Sequence, residues 1–148
     1  RSVHRILDAR TRVCFQMAQL DVEGGILRLG NAGCPYPYHY RAQTREVVEL
    51  GIGAYPLGAT ADTDYQTLEI AVAPGDRMVF FSDGLVEATD ATGEIFGYDR
   101  LVDTIGKGGG EGLSADSLLQ YIADAVGAFE NSAPVGDDQT CVALAVRE

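Results

Sequence analysis

The chain has 148 residues, of which 46% are hydrophobic and 22% are charged, and these proportions are typical of a single soluble globular domain. Its formal net charge of −11 argues against nucleic acid or an anionic membrane as the main partner, because both would repel it. No apolar run approaches the roughly 18 residues that a membrane-spanning helix needs. There is no signal-peptide pattern, and three scattered cysteines predict reduced thiols, so the sequence favours a cytoplasmic location.

The first half of the chain predicts mainly strands. The first residues, up to about Ala9, have the spacing of the end of a helix. Residues 13–20 and 26–32 predict two strands, and the glycine-containing turn between them predicts a hairpin. Residues 36–41 alternate after prolines, which is typical of an edge strand. Three further strands are predicted at residues 46–50, 65–72 and 78–82.

The second half changes to helical spacing. Apolar residues between Tyr98 and Ile105 predict a helix that ends at Gly106. Residues 107–110 (Lys-Gly-Gly-Gly) predict a flexible link, and Ser114 is predicted to cap a second, amphipathic helix. A last strand is predicted from about Thr140 to Val146. This order and the short connections predict an α+β fold with mostly antiparallel sheets and helices against one face.

Two short acidic turns contain the candidate functional residues. Asp83 follows an apolar strand and precedes Gly84, whose missing side chain leaves space beside the carboxylate. Asp137 and Asp138 precede the last strand, and alternation from Thr140 would direct only one of them at a given site. Two such carboxylates, if they meet, could hold a hard cation that activates water. Each turn read alone is more often an ordinary solvated turn.

Other chemistries have no motif in the chain. His4 and His39 are isolated, so the sequence shows no His/Cys cluster for zinc. No serine lies in a GxSxG elbow. The glycine-rich stretches match neither a dinucleotide fingerprint nor a phosphate-binding loop.

Six short runs together resemble a known family. They are NAGCPYP at 31–37, PLG at 56–58, APGD at 73–76, FFSDGLVEA at 80–88, IFG at 95–97 and GDDQT at 136–140. In this order and approximate spacing the chain is similar, from about Val13 to Val146, to the bacterial PPM-type (type 2C-like) phosphatases of the stage II sporulation protein E family. These are metal-dependent serine/threonine protein phosphatases.

The resemblance implies an antiparallel β-sandwich flanked by helices, with two Mn²⁺ or Mg²⁺ ions at one end. It implies that Asp83 and Asp137 are metal ligands and that Gly84, Asp138 and Thr140 lie next to them. A water activated by the ions would then hydrolyse phosphoserine or phosphothreonine without a covalent protein nucleophile. The substrate implied is a phosphorylated regulatory protein of the anti-anti-sigma-like kind.

Two departures from the family's pattern limit these implications. Cys34 stands where the family usually has histidine, at a position that is not a ligand by the motif. The chain also has no counterpart of the family's N-terminal Gly-Asp-x-Ser-Gly turn, so residues 1–148 resemble only the C-terminal portion of the phosphatase domain. Because the first residue is Arg1, we expect the sequence to be part of a longer protein.

An incomplete domain has consequences for the isolated chain. We expect it to bind cations weakly, to be inactive or weakly active, and to form homo-oligomers through an exposed sheet edge. The alternative function is a non-catalytic, degenerate phosphatase domain that binds a signalling partner.

Overall fold

The computed structural model describes residues 12–131 and 136–147, so the helix expected up to about Ala9 lies outside the described residues. The chain divides into two compact units, one from residues 1–36 and 51–72 and the other from 37–50 and 73–148. The described ranges contain seven strands and three helices: β1 (Phe15–Asp21), β2 (Ile26–Ala32), β3 (Tyr38–Arg41), β4 (Glu46–Glu49), β5 (Leu68–Ala71), β6 (Arg77–Phe81), α1 (Asp83–Val86), α2 (Gly97–Gly110), α3 (Ala115–Glu130) and β7 (Cys141–Ala145).

The first unit contains a three-stranded antiparallel sheet in the order β1-β2-β5. The predicted hairpin is confirmed, since β1 pairs with β2 from Phe15 opposite Ala32 to Asp21 opposite Ile26. The Asp21 carboxylate accepts a hydrogen bond from the Gly24 amide at 2.9 Å, which closes the turn. Strand β2 lies in the middle of this sheet, and Leu27 and Leu29 on it are fully buried.

The second unit contains a four-stranded antiparallel sheet in the order β4-β3-β6-β7. The prediction that β3 is an edge strand is wrong, because β3 pairs with β4 on one side and with β6 on the other. The prolines precede the strand and therefore remove no hydrogen bond from the ladder. Pro37, just before β3, contributes its carbonyl oxygen, which accepts from the Leu50 amide at 2.9 Å.

The core of the second unit lies between one face of this sheet and the helices. Tyr38 and Tyr40 point to that face, and the Tyr38 ring stacks on Phe81 with 5.6 Å between ring centroids. The helices contribute buried apolar side chains at helical spacing, which are Leu101 and Ile105 of α2 and Leu118, Ile122 and Val126 of α3. The antiparallel sheets and separate helices confirm the predicted α+β class. None of the helices in the described ranges is long and apolar enough to span a bilayer.

The glycines at the end of α2 are helical, so the predictions of a C-cap at Gly106 and a flexible link after it are wrong. Helix α2 continues to Gly110, and the turn is completed by Gly112 at a φ of 70°. A Cβ on Gly109 would lie 2.5 Å from the Tyr40 ring, so only glycine lets the helix pack this closely on the sheet. This packing offsets the helix-propensity penalty of about 1 kcal/mol for each glycine.

Helix α3 begins and ends as the sequence predicts. The Ser114 hydroxyl oxygen accepts from the Ser117 amide at 3.2 Å, which confirms the N-cap. Asn131 at the other end adopts the left-handed conformation that terminates helices. Phe129, in the last turn, lies under the Arg100 guanidinium of α2 at 4.7 Å from its ring centroid.

A buried polar pair supports the start of β6. His39 is 1% exposed, and its Nε2 lies 2.8 Å from a carboxylate oxygen of Asp76, which is 4% exposed. The same carboxylate accepts from the backbone amides of Ala42 and Ala73. His39, isolated in the sequence, is therefore a packing residue that holds two loops through Asp76.

Candidate functional site

Asp83 lies at the end of β6, on a rigid support. Strand β6 is mostly buried, and Ser82 continues it in an extended conformation. Asp83 then begins α1, a four-residue helix in which Gly84, Leu85 and Val86 are buried while the Asp83 side chain is exposed. One Asp83 carboxylate oxygen accepts from the Gly84 amide at 3.1 Å. The sequence predicted a turn at this point, and the helix keeps the carboxylate at the surface.

Asp137 lies in the turn that precedes β7. Residues 136–140 are all exposed, and an Asp137 carboxylate oxygen accepts from the Asp138 amide at 2.7 Å. Strand β7 begins at Cys141, which pairs with Phe81 of β6. Thr140 is therefore not part of the strand, and strand alternation does not orient the two aspartates as the sequence suggested.

Ser82 joins the two acidic turns. Its amide donates to the Thr140 carbonyl oxygen at 3.0 Å. Its hydroxyl oxygen accepts from the Thr140 amide at 2.9 Å, and the hydroxyl lies 3.1 Å from the Asp138 carbonyl oxygen, to which it donates. Asp138 and Thr140 are thus placed beside the candidate ligands by their backbone groups.

Gly84 completes the contact between the turns. A Cβ on Gly84 would lie 2.5 Å from the Asp138 carbonyl oxygen and 3.4 Å from the Asp137 Cβ. The second turn therefore rests directly on the first turn of α1, in space that any side chain would occupy. The two acidic turns do meet, which the sequence by itself left open.

The oxygen atoms available at the two turns are of the type that binds hard cations. Asp83 and Asp137 present carboxylate oxygens at an exposed surface, and oxygen ligands suit Mn²⁺ and Mg²⁺. One oxygen of each carboxylate binds a neighbouring amide, and the other accepts no hydrogen bond from the described residues. In residues 12–131 and 136–147, no group of three or more His, Cys, Asp or Glu side chains could hold a metal ion.

Ser82 and Asp76 are the structural residues that sequence reasoning missed. Ser82 lies within the quoted FFSDGLVEA run, but its partners are 56 and 58 residues away in the sequence. Asp76 lies within the APGD run, and only its partner Ala42, 34 residues away, depends on the fold, since Ala73 belongs to the same turn. In the sequence, the only indication that Ser82 and Asp76 matter was their position inside these two motifs.

Solved structures share this fold. The SiaA-PP2C domain of Pseudomonas aeruginosa is 21% identical, with a TM-score of 0.80 over 97% of this chain and 56% of that one. The RsbU and RsbW domains of a Mycobacterium tuberculosis protein are 23% identical, with a TM-score of 0.75 over 97% and 39%. The manganese-presoaked phosphatase domain of the Bacillus subtilis cell fate determinant SpoIIE is 16% identical, with a TM-score of 0.62 over 90% and 56%. The fold is therefore that of PP2C-type (PPM) phosphatase domains.

The family is established by sequence as well. The family model for stage II sporulation protein E (SpoIIE) matches residues 1–147, and the chain belongs to this family. No curated protein matches the chain. The chain spans little more than half the length of the SiaA structure and less of the RsbU and RsbW structure.

Proposed function

We propose that residues 1–148 form the C-terminal portion of a metal-dependent serine/threonine protein phosphatase domain. The observation that carries this proposal is the contact between the two acidic turns at the adjacent ends of β6 and β7. Asp83 lies in one of these turns and Asp137 in the other, and both residues are exposed. Membership of the SpoIIE family and the PP2C-type fold support it. The coverage of 56% of the SiaA chain supports the view that further ligands come from a part of the domain outside this sequence.

Asp83 and Asp137 would hold Mn²⁺ or Mg²⁺, and Gly84, Asp138 and Thr140 would keep the two carboxylates in place. When bound, such ions supply an activated water and neutralise charge on a phosphoryl group. The exposed position of both carboxylates leaves the surface open to a phosphorylated side chain of another protein. No covalent protein nucleophile is needed for this chemistry.

The substrate would be a phosphoserine or phosphothreonine in a regulatory partner protein of the anti-anti-sigma-like kind, in the cytoplasm of a bacterium. This part of the proposal is supported by the family alone. A net charge of −11 disfavours nucleic acid and anionic membranes as partners of this segment.

The test is Asp83→Asn in the complete gene product. We expect phosphatase activity on a phosphoserine peptide with Mn²⁺ to fall by at least about 100-fold with the fold intact, because the amide cannot supply the negative charge that the cation needs. Asp116→Asn, an exposed aspartate in the first turn of α3, is the matched control and should keep full activity. Full activity of Asp83→Asn would contradict the proposal, and unchanged signalling by a protein without measurable activity would favour the non-catalytic module.

The isolated chain should be weakly active and should self-associate. Strand β1 is at the edge of its sheet, and in the described ranges it pairs with β2 on one side only. Its residues Phe15 and Met17 are 49% and 60% exposed. An open apolar edge favours pairing with a second copy. Met17→Lys should raise the concentration at which light scattering detects dimers, whereas Gln120→Lys on α3 should not. A monomeric wild-type chain at high concentration would refute this expectation.

A further inference from the structure

We propose that Ser82 is a positioning residue, which holds the Asp137 turn against Asp83 so that the two carboxylates act as one cation site. This inference rests on the proposed function. It assigns to the hydroxyl group of Ser82 a role that neither acidic turn can fill by itself.

The Ser82 hydroxyl makes two hydrogen bonds to the same turn, one as acceptor and one as donor. It accepts from the Thr140 amide at 2.9 Å and donates to the Asp138 carbonyl oxygen at 3.1 Å. A hydroxyl group can donate one hydrogen bond while accepting others. Threonine shares this ability at the same distance from the backbone, and alanine has no such group.

The location of these bonds makes them important for Asp137. The bonds are made by the backbone groups of Asp138 and Thr140, which lie within three positions of Asp137 in the sequence. Residues 136–140 of this turn are all exposed. Without the hydroxyl, the turn keeps the bond from the Ser82 amide to the Thr140 carbonyl oxygen and the packing against Gly84. It also keeps the side-chain bond from Gln139 to Glu130, but, within the described ranges, no bond that joins Asp138 to the end of β6. Ligands must be held to within about 0.5 Å for a preorganised site, and an exposed turn with fewer bonds would not hold Asp137 to that tolerance.

The first measurement needs no metal and uses the whole chain. Amide hydrogen exchange by NMR should show the Thr140 amide exchanging about tenfold faster in Ser82→Ala, since one lost hydrogen bond of about 1.4 kcal/mol corresponds to that factor. Ser82→Thr should restore the slow exchange. Unchanged exchange in Ser82→Ala would overturn the positioning role.

The second measurement titrates Mn²⁺ alone and follows paramagnetic broadening of the Gly84 and Asp138 amide signals, one in each turn. In the wild-type chain both signals should broaden together. In Ser82→Ala both signals should need about tenfold more Mn²⁺ than in the wild-type chain, because the two carboxylates are no longer held as one site. Ser82→Thr should behave like the wild type. Joint broadening in Ser82→Ala at wild-type Mn²⁺ concentrations would overturn the inference.

Ser114→Ala separates positioning from general stability. It removes the N-cap of α3 and should lower the stability of the protein. Ser114 lies at the opposite end of α3 from Glu130, which bonds to Gln139 of the acidic turn. We expect Ser114→Ala to leave both readouts unchanged, and the same losses in Ser114→Ala as in Ser82→Ala would overturn a specific role. If the complete gene product shows no broadening of either signal, the proposed function fails, while the exchange measurement still decides whether Ser82 positions the turn.

Discussion

Gly84→Ala should destabilise the protein and weaken the candidate site, although alanine normally stabilises helices. Gly84 lies in α1 with a Cβ position only 2.5 Å from the Asp138 carbonyl oxygen and 3.2 Å from its carbonyl carbon. The obstacle is backbone, so no side-chain rotation relieves the clash. The carbonyl oxygen must retreat by about 1 Å to reach ordinary contact.

The magnitude follows from two opposing terms. Overpacking of this kind costs about 1–3 kcal/mol, and replacing a helical glycine by alanine returns up to about 1 kcal/mol. Subtracting the second term in full leaves a net loss of up to about 2 kcal/mol, which at a urea m-value of about 2 kcal/mol per molar lowers the urea midpoint by up to about 1 M. The displaced carbonyl group also leaves the Ser82 hydroxyl, so the bond of 3.1 Å should be lost.

Urea unfolding of Gly84→Ala and Gly127→Ala provides the assay and its control. Gly127 is an exposed glycine of α3, and a Cβ on it meets nothing within 4 Å, so this change should raise stability by up to about 1 kcal/mol. Both substitutions replace glycine by alanine, but they should change the free energy of unfolding in opposite directions. If Gly84→Ala unfolds at the wild-type urea concentration or above it, and Mn²⁺ titration is unchanged, the reasoning about contact between the turns is refuted.

Three further predictions concern residues outside the acidic turns. Burial would by itself raise the pKa of Asp76, but the amides and His39 that donate to it hold its pKa below the ordinary 3.8. The stability that the Asp76 carboxylate contributes is therefore complete above pH 3.8 and is lost as the pH falls through the folded-state pKa. In thermal melts, the stability difference between the wild type and Asp76→Asn should shrink in that range, and a constant difference would contradict this. Gly109→Ala should cost about 1–3 kcal/mol in urea unfolding because the Tyr40 ring fills the space, and a neutral result would show that α2 can shift. Burial raises the pKa of the Cys141 thiol to about 11. Iodoacetamide at pH 8 should therefore modify the exposed Cys14 thiol well before Cys141, as read by mass spectrometry, and equal rates would refute this.

Much of the fold follows from local patterns in the sequence. The hairpin of β1 and β2 and the capped helix α3 were predicted to within a few residues, because alternation, turn glycines and capping serines act over short distances. Errors arose where the local pattern was ambiguous. Prolines before β3 suggested an edge strand, and a run of glycines suggested a flexible link where α2 continues.

The sequence by itself determined which residues are candidates for the site, since Asp83 follows one apolar strand and Asp137 precedes another in an ordered set of family motifs. Only the tertiary structure decided that the turns containing them meet, through Ser82 and Gly84. The physical reason is that the contact joins groups more than 50 residues apart, as in the bond from Ser82 to Asp138 at a separation of 56. Local propensity does not encode such a contact, whereas the pairing of β6 with β7 and the missing side chain of Gly84 produce it.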